Sequence, residues 1–168
     1  MKVKLWMYAA LVGVLGVGVG AAAEVQATPS SAKSTVLVQA KVAPIDITAH
    51  HRTLAGKRWA AELETRGLTD GYVVDNQFQP GQSTGWHSHP GPSVIFVASG
   101  SVTNYDSDAP GCAGVTYPAG TSFVDAGGTD MHMLRNDGTV AAETIAVQFL
   151  PSGQPRRIDK PVPHGCRA

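Results

Sequence analysis

An all-β domain, built as a sandwich or a small barrel, is the fold this sequence predicts. Three observations carry that expectation. First, 19 glycines and 11 prolines in 168 residues cut the chain into short segments, a pattern that favours strands and turns over a helical bundle. Second, several of those segments alternate apolar and polar residues with a period of two, as half-buried strands do. Third, charge is sparse: 15% of residues are charged and the formal net charge is zero. That balance offers no basic stripe to nucleic acid and no acidic solvating tail. The length suits one domain, and no repeat of fixed period is present.

Residues 1–27 have the pattern of an export signal. Lys2 and Lys4 precede an uncharged apolar run from Leu5 to Val19. Both Ala21-Ala22-Ala23 and Val25-Gln26-Ala27 offer small residues at the −3 and −1 positions of a cleavage site. An uncleaved membrane anchor is the competing reading, since the run to Ala23 is just long enough to span a bilayer. Cleavage leaves a near-neutral, secreted or periplasmic domain with no membrane partner.

The mature chain divides into residues 28–42, 43–150 and 151–168. The first piece is a lead-in, disordered to residue 34, followed by a β-rich run over 35–42. Residues 59–66 alternate Trp59, Ala61, Leu63 and Thr65 with Ala60, Glu62, Glu64 and Arg66. That favours a half-buried strand, although Ala, Glu and Leu also suit a helix. Further strands are expected over 71–78, 93–98, 101–105, 122–124, 131–134 and 144–149. In the third of the body strands Ile95 and Val97 share one face. In the last, Ile145, Val147 and Phe149 are expected inward, with Thr144, Ala146 and Gln148 opposite. Residues 106–114 read as a polar loop and 151–168 as an irregular tail.

Cys112 and Cys166 are the two cysteines. An even pair in an exported chain is most simply a disulfide, tying the tail to the middle of the domain and contributing about 4 kcal/mol by loop closure. Metal-binding or redox-active thiols are the rival reading, and the pair lacks the close C-x-x-C spacing for it.

The chemistry concentrates at His87-Ser88-His89 and His132. Histidines at i and i+2 on an extended strand point to one face, and a third from a later strand can close a facial set of imidazoles around one ion. Imidazole suits zinc, iron, copper and nickel, and three protein ligands with open positions are the pattern of a catalytic rather than a structural site.

These residues sit in two longer patterns. Gly81, five residues, His87, Ser88, His89, three residues, Ser93, six residues and Gly100 match every spacing of the first cupin motif, G-x5-H-x-H-x3-E-x6-G. Ser93 stands where that motif has glutamate. Gly120, five residues, Ala126, Gly127, Gly128, three residues, His132 and Asn136 follow the second motif, with alanine for proline and one extra residue before the histidine. From Tyr72 to Phe149 the chain therefore resembles a small, single-domain, exported bacterial cupin with a Gly-Trp-His-Ser-His-Pro-Gly-Pro signature.

The resemblance implies a double-stranded β-helix, or jelly roll, with His87, His89 and His132 holding one divalent transition metal: iron, zinc, manganese, copper or nickel. Without the glutamate, a neutral three-histidine set leaves the ion its full charge, which favours anionic ligands and resembles thiol dioxygenase-type cupins. Ser93 is placed to hydrogen-bond a metal-bound water, and Trp86 and Asn136 are placed to support a ligand or to wall the pocket. For Trp86, however, a core role is the stronger reading, and for Asn136 a turn-tying one. Asp125 and Asp130 read as turn residues rather than as acceptors for a ligand imidazole. Tyr105 and Tyr117 suit strand packing as well as proton donation. His50 and His51, adjacent on a strand, face opposite ways. His164, Arg156 and Arg157 read as a solvated tail. Three functions stay open: a metal-dependent oxidoreductase of the dioxygenase type acting on a small molecule, a non-catalytic metal- or ligand-binding barrel, and a barrel with a vestigial site. The partner is a small molecule, not nucleic acid, and exposed jelly-roll strands make a homodimer an expectation.

Overall fold

The computed structural model describes residues 27, 28 and 30–166. The export-signal reading of residues 1–27 thus falls almost wholly outside the described residues. Among those described, no helix is long and apolar enough to cross a membrane.

The strands are β1 (Lys33–Val42), β2 (Asp46–Arg52), β3 (Arg58–Glu64), β4 (Thr69–Phe78), β5 (His87–Ser88) and β6 (Ser93–Ser99). They continue with β7 (Ser101–Asp106), β8 (Gly114–Pro118), β9 (Ser122–Asp125), β10 (His132–Arg135), β11 (Ala142–Pro151) and β12 (Ile158–Asp159). One five-stranded sheet has the order β1-β4-β11-β6-β9 and another β12-β5-β10-β7-β8, while β2 and β3 form a separate hairpin. All pairings are antiparallel. From β4 onward the chain changes sheet at every step except β7 to β8. That alternation winds it into a double-stranded β-helix, the jelly roll expected from the motifs.

The apolar core lies between the sheets. Tyr72, Val74 and Phe78 from β4 meet Ile95 and Val97 from β6, Phe123 from β9 and Leu134 from β10. The expected pairing of Ile95 with Val97 on one face holds, and Phe96 on the other is 48% exposed.

The last long strand reverses the expected phase. Thr144, Ala146 and Gln148 are buried in β11, and Ile145, Val147 and Phe149 are only half-buried. Hydrophobicity misplaces the inner face because its two polar residues find partners inside: Thr144 accepts a hydrogen bond from Asn76 and Gln148 donates to Ser93. The strand over 59–66 exists as β3, but its hairpin with β2 stands clear of the barrel and Trp59 is 52% exposed, so the half-buried expectation fails. The lead-in is docked rather than disordered. Thr28 N–H donates to Lys160 O, and Ser31 and Ala32 N–H both donate to Ser83 O.

The tail is also more regular than expected. Its β12 extends the second sheet beside β5, and Cys166 is bonded to Cys112 with a Cα–Cα distance of 5.4 Å. Reduction of this bond is expected to lower the melting temperature and to speed amide exchange at Lys160, whose N–H donates to Trp86 O. Hydrogen exchange with and without reductant checks this; unchanged exchange at Lys160 would show that the tail docks independently of the bond.

Candidate metal centre

Each histidine is placed by strand geometry. His87 opens β5 and His132 opens β10, and the two are direct cross-strand partners. His89 lies two residues beyond His87, so its side chain returns to the same inward face. The Nε2 atoms of His87 and His132 are 3.1 Å apart, and one ring nitrogen from each of the three lies within 4.8 Å of the others. All three rings are buried.

Backbone carbonyls set the tautomers. His87 Nδ1 lies 2.8 Å from Gly85 O and His89 Nδ1 lies 2.6 Å from Arg156 O. A carbonyl only accepts, so each Nδ1 carries the proton and each Nε2 presents a bare lone pair to the cluster. Burial disfavours the charged form of all three rings. It holds His87 well below its ordinary value, with His132 adding repulsion. It lowers His89 too, and pushes His132 down to about 4 against the opposing pull of Asp125. Converging neutral imidazoles, two of them with inward lone pairs, fit a divalent transition metal.

A cavity of about 30 Å³ adjoins the rings, with Ser93, Asn76, Gln148, Arg156 and Arg157 in its wall. A single water centre needs roughly 10–15 Å³, so the space suits two or three waters or a ligand of similar size. Ser93 Oγ accepts from Gln148 Nε2 at 2.9 Å. Arg157 donates to Thr84 O and to Asp159, each at 2.5 Å. Arg156 makes a long 3.4 Å bond to Gln148 Oε1. The solvated-tail reading of both arginines is therefore corrected: pairing of β12 with β5 folds the tail back and brings them to the site. The doubling of arginine was the sequence signal for this, and only the strand pairing gave it a destination.

Asp125 is the other residue whose role exceeds the sequence reading. Its Oδ1 accepts from Gly127 N–H at 2.9 Å, as a turn residue would. Its Oδ2 lies 3.9 Å from His89 Nε2 and 3.8 Å from His132 Nε2, buried and without a hydrogen-bond partner.

Two expected pocket residues lie elsewhere. Trp86 is fully buried but lines a different cavity, with Tyr105, Cys112 and Met133, because neighbours on extended chain face opposite ways. Asn136 ties a turn: Nδ2 donates to Phe78 O and Val140 O, and Oδ1 accepts from Gly138 N–H. Of the tyrosines, Tyr105 donates to Asp137 and Tyr117 stacks on Phe123 at 4.4 Å. His50 and His51 lie on the separate hairpin.

Fold and site together define a jelly-roll barrel with a buried three-histidine candidate metal centre. No protein-family model and no curated protein matches the chain. Among solved structures it is similar to a conserved protein with a double-stranded β-helix domain from Klebsiella pneumoniae subsp. pneumoniae MGH 78578. The identity is 18%, over 70% of this chain and 85% of that one, with a TM-score of 0.46. It is also similar to a cupin superfamily protein from Desulfitobacterium hafniense DCB-2, at 10% identity over 74% and 83% of the two chains and a TM-score of 0.46. A third is a predicted oxalate decarboxylase from Thermotoga maritima, at 22% identity over 51% and 83% and a TM-score of 0.40.

The depressed histidines give the metal-free protein a definite pH dependence. Below the ordinary imidazole value of 6.5, the unfolded chain takes up protons that the folded chain refuses until about pH 4. Stability is therefore complete above pH 6.5 and falls as the pH drops through that window. Melting temperatures from pH 7 to 4 are expected to decline, and His132→Gln is expected to flatten the slope. A slope unaltered by that substitution would assign the decline to other groups.

Proposed function

We propose that the protein is an exported cupin whose His87, His89 and His132 hold one transition metal, and that it works as a metal-dependent oxidoreductase of the dioxygenase type on a small anionic molecule. The observation that carries this reading is the convergence of three buried imidazoles beside a cavity whose wall includes two arginines. A bound transition metal supplies Lewis acidity and, if redox-active, electron transfer. The residues around it supply the rest. The carbonyls of Gly85 and Arg156 hold two rings in the ligating tautomer. Gln148 orients Ser93 Oγ in the cavity wall, and Arg156 and Arg157 favour negative charge in the cavity. The disulfide is consistent with an oxidising compartment.

One observation favours a second reading, a non-catalytic holder of metal or a small ligand: the cavity admits only a few atoms. A homodimer is supported by the exposed apolar side chains Val36, Leu37 and Val38 on the edge strand β1.

Elemental analysis of the mature protein purified from its export compartment tests the proposal. Near one transition metal per chain is expected, lost in His87→Ala and His132→Ala while the barrel still folds. Normal metal content in both variants would remove the site. Iron would direct the assay to oxygen consumption with small carboxylates. Tight retention of metal without turnover would select the binding reading.

A separate expectation concerns Arg156. Arg156→Gln is expected to weaken binding of acetate to the metal-loaded protein about tenfold, the scale of one charge-assisted hydrogen bond. Calorimetry checks this, and unchanged affinity would take Arg156 out of ligand recognition.

A further inference from the structure

We infer that Asp125 is a fourth ligand of the metal centre, contributing Oδ2 beside the three imidazoles. This rests on the metal-centre reading above and adds a carboxylate to it.

Burial is the first argument. The Asp125 side chain is 5% exposed, and Oδ2 has no hydrogen-bond partner. A buried carboxylate oxygen is normally paired or bound to a cation. The nearest polar atoms are ring nitrogens that lie beyond hydrogen-bonding distance. His89 donates from Nδ1 to Arg156 O, so its Nε2 offers a lone pair. The Nε2 atoms of His89 and His132 lie 3.9 and 3.8 Å from Oδ2. A cation among them would satisfy the unpartnered carboxylate oxygen.

Geometry is the second argument. Donor atoms about 2.0–2.2 Å from a tetrahedral ion lie about 3.3–3.6 Å apart, and the Asp125 distances of 3.9 and 3.8 Å are within a few tenths of an ångström of that. A carboxylate that merely orients a ligand imidazole takes the hydrogen of the non-ligating nitrogen. Asp125 instead faces Nε2 of both His89 and His132, the side on which the metal is expected, while the Nδ1 of His89 is already satisfied by Arg156 O.

Position on the sheet is the third argument. The register of β6 with β9 sets Asp125 directly opposite Ser93, and directly opposed residues share a face. Ser93 occupies the place of the motif glutamate, so the carboxylate absent from β6 reappears on the adjoining strand. The carboxyl group is also fixed in place. Gly127 N–H binds Oδ1, leaving Oδ2 for the cluster. Gly127 itself has φ +74°, and a Cβ there would collide with the Gly91 carbonyl, so the loop after Asp125 is pressed against the loop after His89. The resulting set of three nitrogens and one oxygen lowers the net charge of a divalent site by one.

Cobalt(II) titration of the full mature protein, wild type against Asp125→Asn, tests the assignment. Asparagine keeps an acceptor for Gly127 and removes the charge. The dissociation constant is expected to rise tenfold or more, with a changed visible cobalt spectrum. Metal-free Asp125→Asn is expected to melt no lower than metal-free wild type, because an uncompensated buried charge has been removed. Wild-type affinity and spectrum in the variant would overturn the inference and leave the three-histidine site standing. Weaker binding with an unaltered spectrum would also overturn it, making Asp125 an orienting group. Failure of the wild type itself to bind cobalt would overturn the metal centre and this ligand with it.

Discussion

Pairing of His132 with His87 across β10 and β5 is the constraint on which the site depends. Side chains alternate along a strand, so a slip of one residue would turn the histidines away from the barrel interior. The register is held from both sides. Thr84 N–H donates to Leu134 O, and Leu134 N–H donates back to Thr84 Oγ1. Asn136 N–H and Gln82 O, and Gly81 N–H and Asn136 O, close the ladder further along. Backbone groups buried there leave few alternative pairings, because each would strand a donor or an acceptor.

Once the imidazoles face inward, their surroundings follow from charge and solvation. Neutral rings tolerate burial, and charged ones do not. The carbonyls of Gly85 and Arg156 therefore matter twice: they satisfy the Nδ1 protons and they direct the lone pairs to a common point. The polar inner face of β11 has the same origin. Thr144 and Gln148 sit inside because Asn76, Ser93 and Arg156 give them partners, while Ala142, Ala146 and Leu150 on the same face join the apolar core. The barrel thus combines a hydrocarbon core for stability with a hydrogen-bonded pocket for chemistry.

The C-terminal segment couples these layers. It lends β12 to the strand carrying His87, a carbonyl to His89 and two guanidinium groups to the cavity wall. It is then anchored to the loop after β7 through Cys112 and Cys166. Thr28 ties the N-terminal lead-in to the same place, accepting from Trp86 N–H at 2.6 Å. Two segments that look like polar ends of the chain are therefore structural parts of the centre.

The sequence by itself determined the all-β class, the two motif spacings, the three histidines and the cysteine pair. Each depends on local periodicity or on residue chemistry at short range, which a linear reading captures. Tertiary structure decided the rest. Whether β11 shows its apolar or its polar face inward depended on what stands across the barrel, which alternation alone cannot reveal. Asp125 satisfies a turn locally, and only the pairing of β9 with β6 and the return of β10 bring its free oxygen to His89 and His132. Arg157 pairs locally with Asp159, but only the long-range pairing of β12 with β5 brings Arg156 and Arg157 beside the histidines. Trp86 went the other way: adjacent to a ligand in sequence, it was carried to the opposite face by the geometry of extended chain.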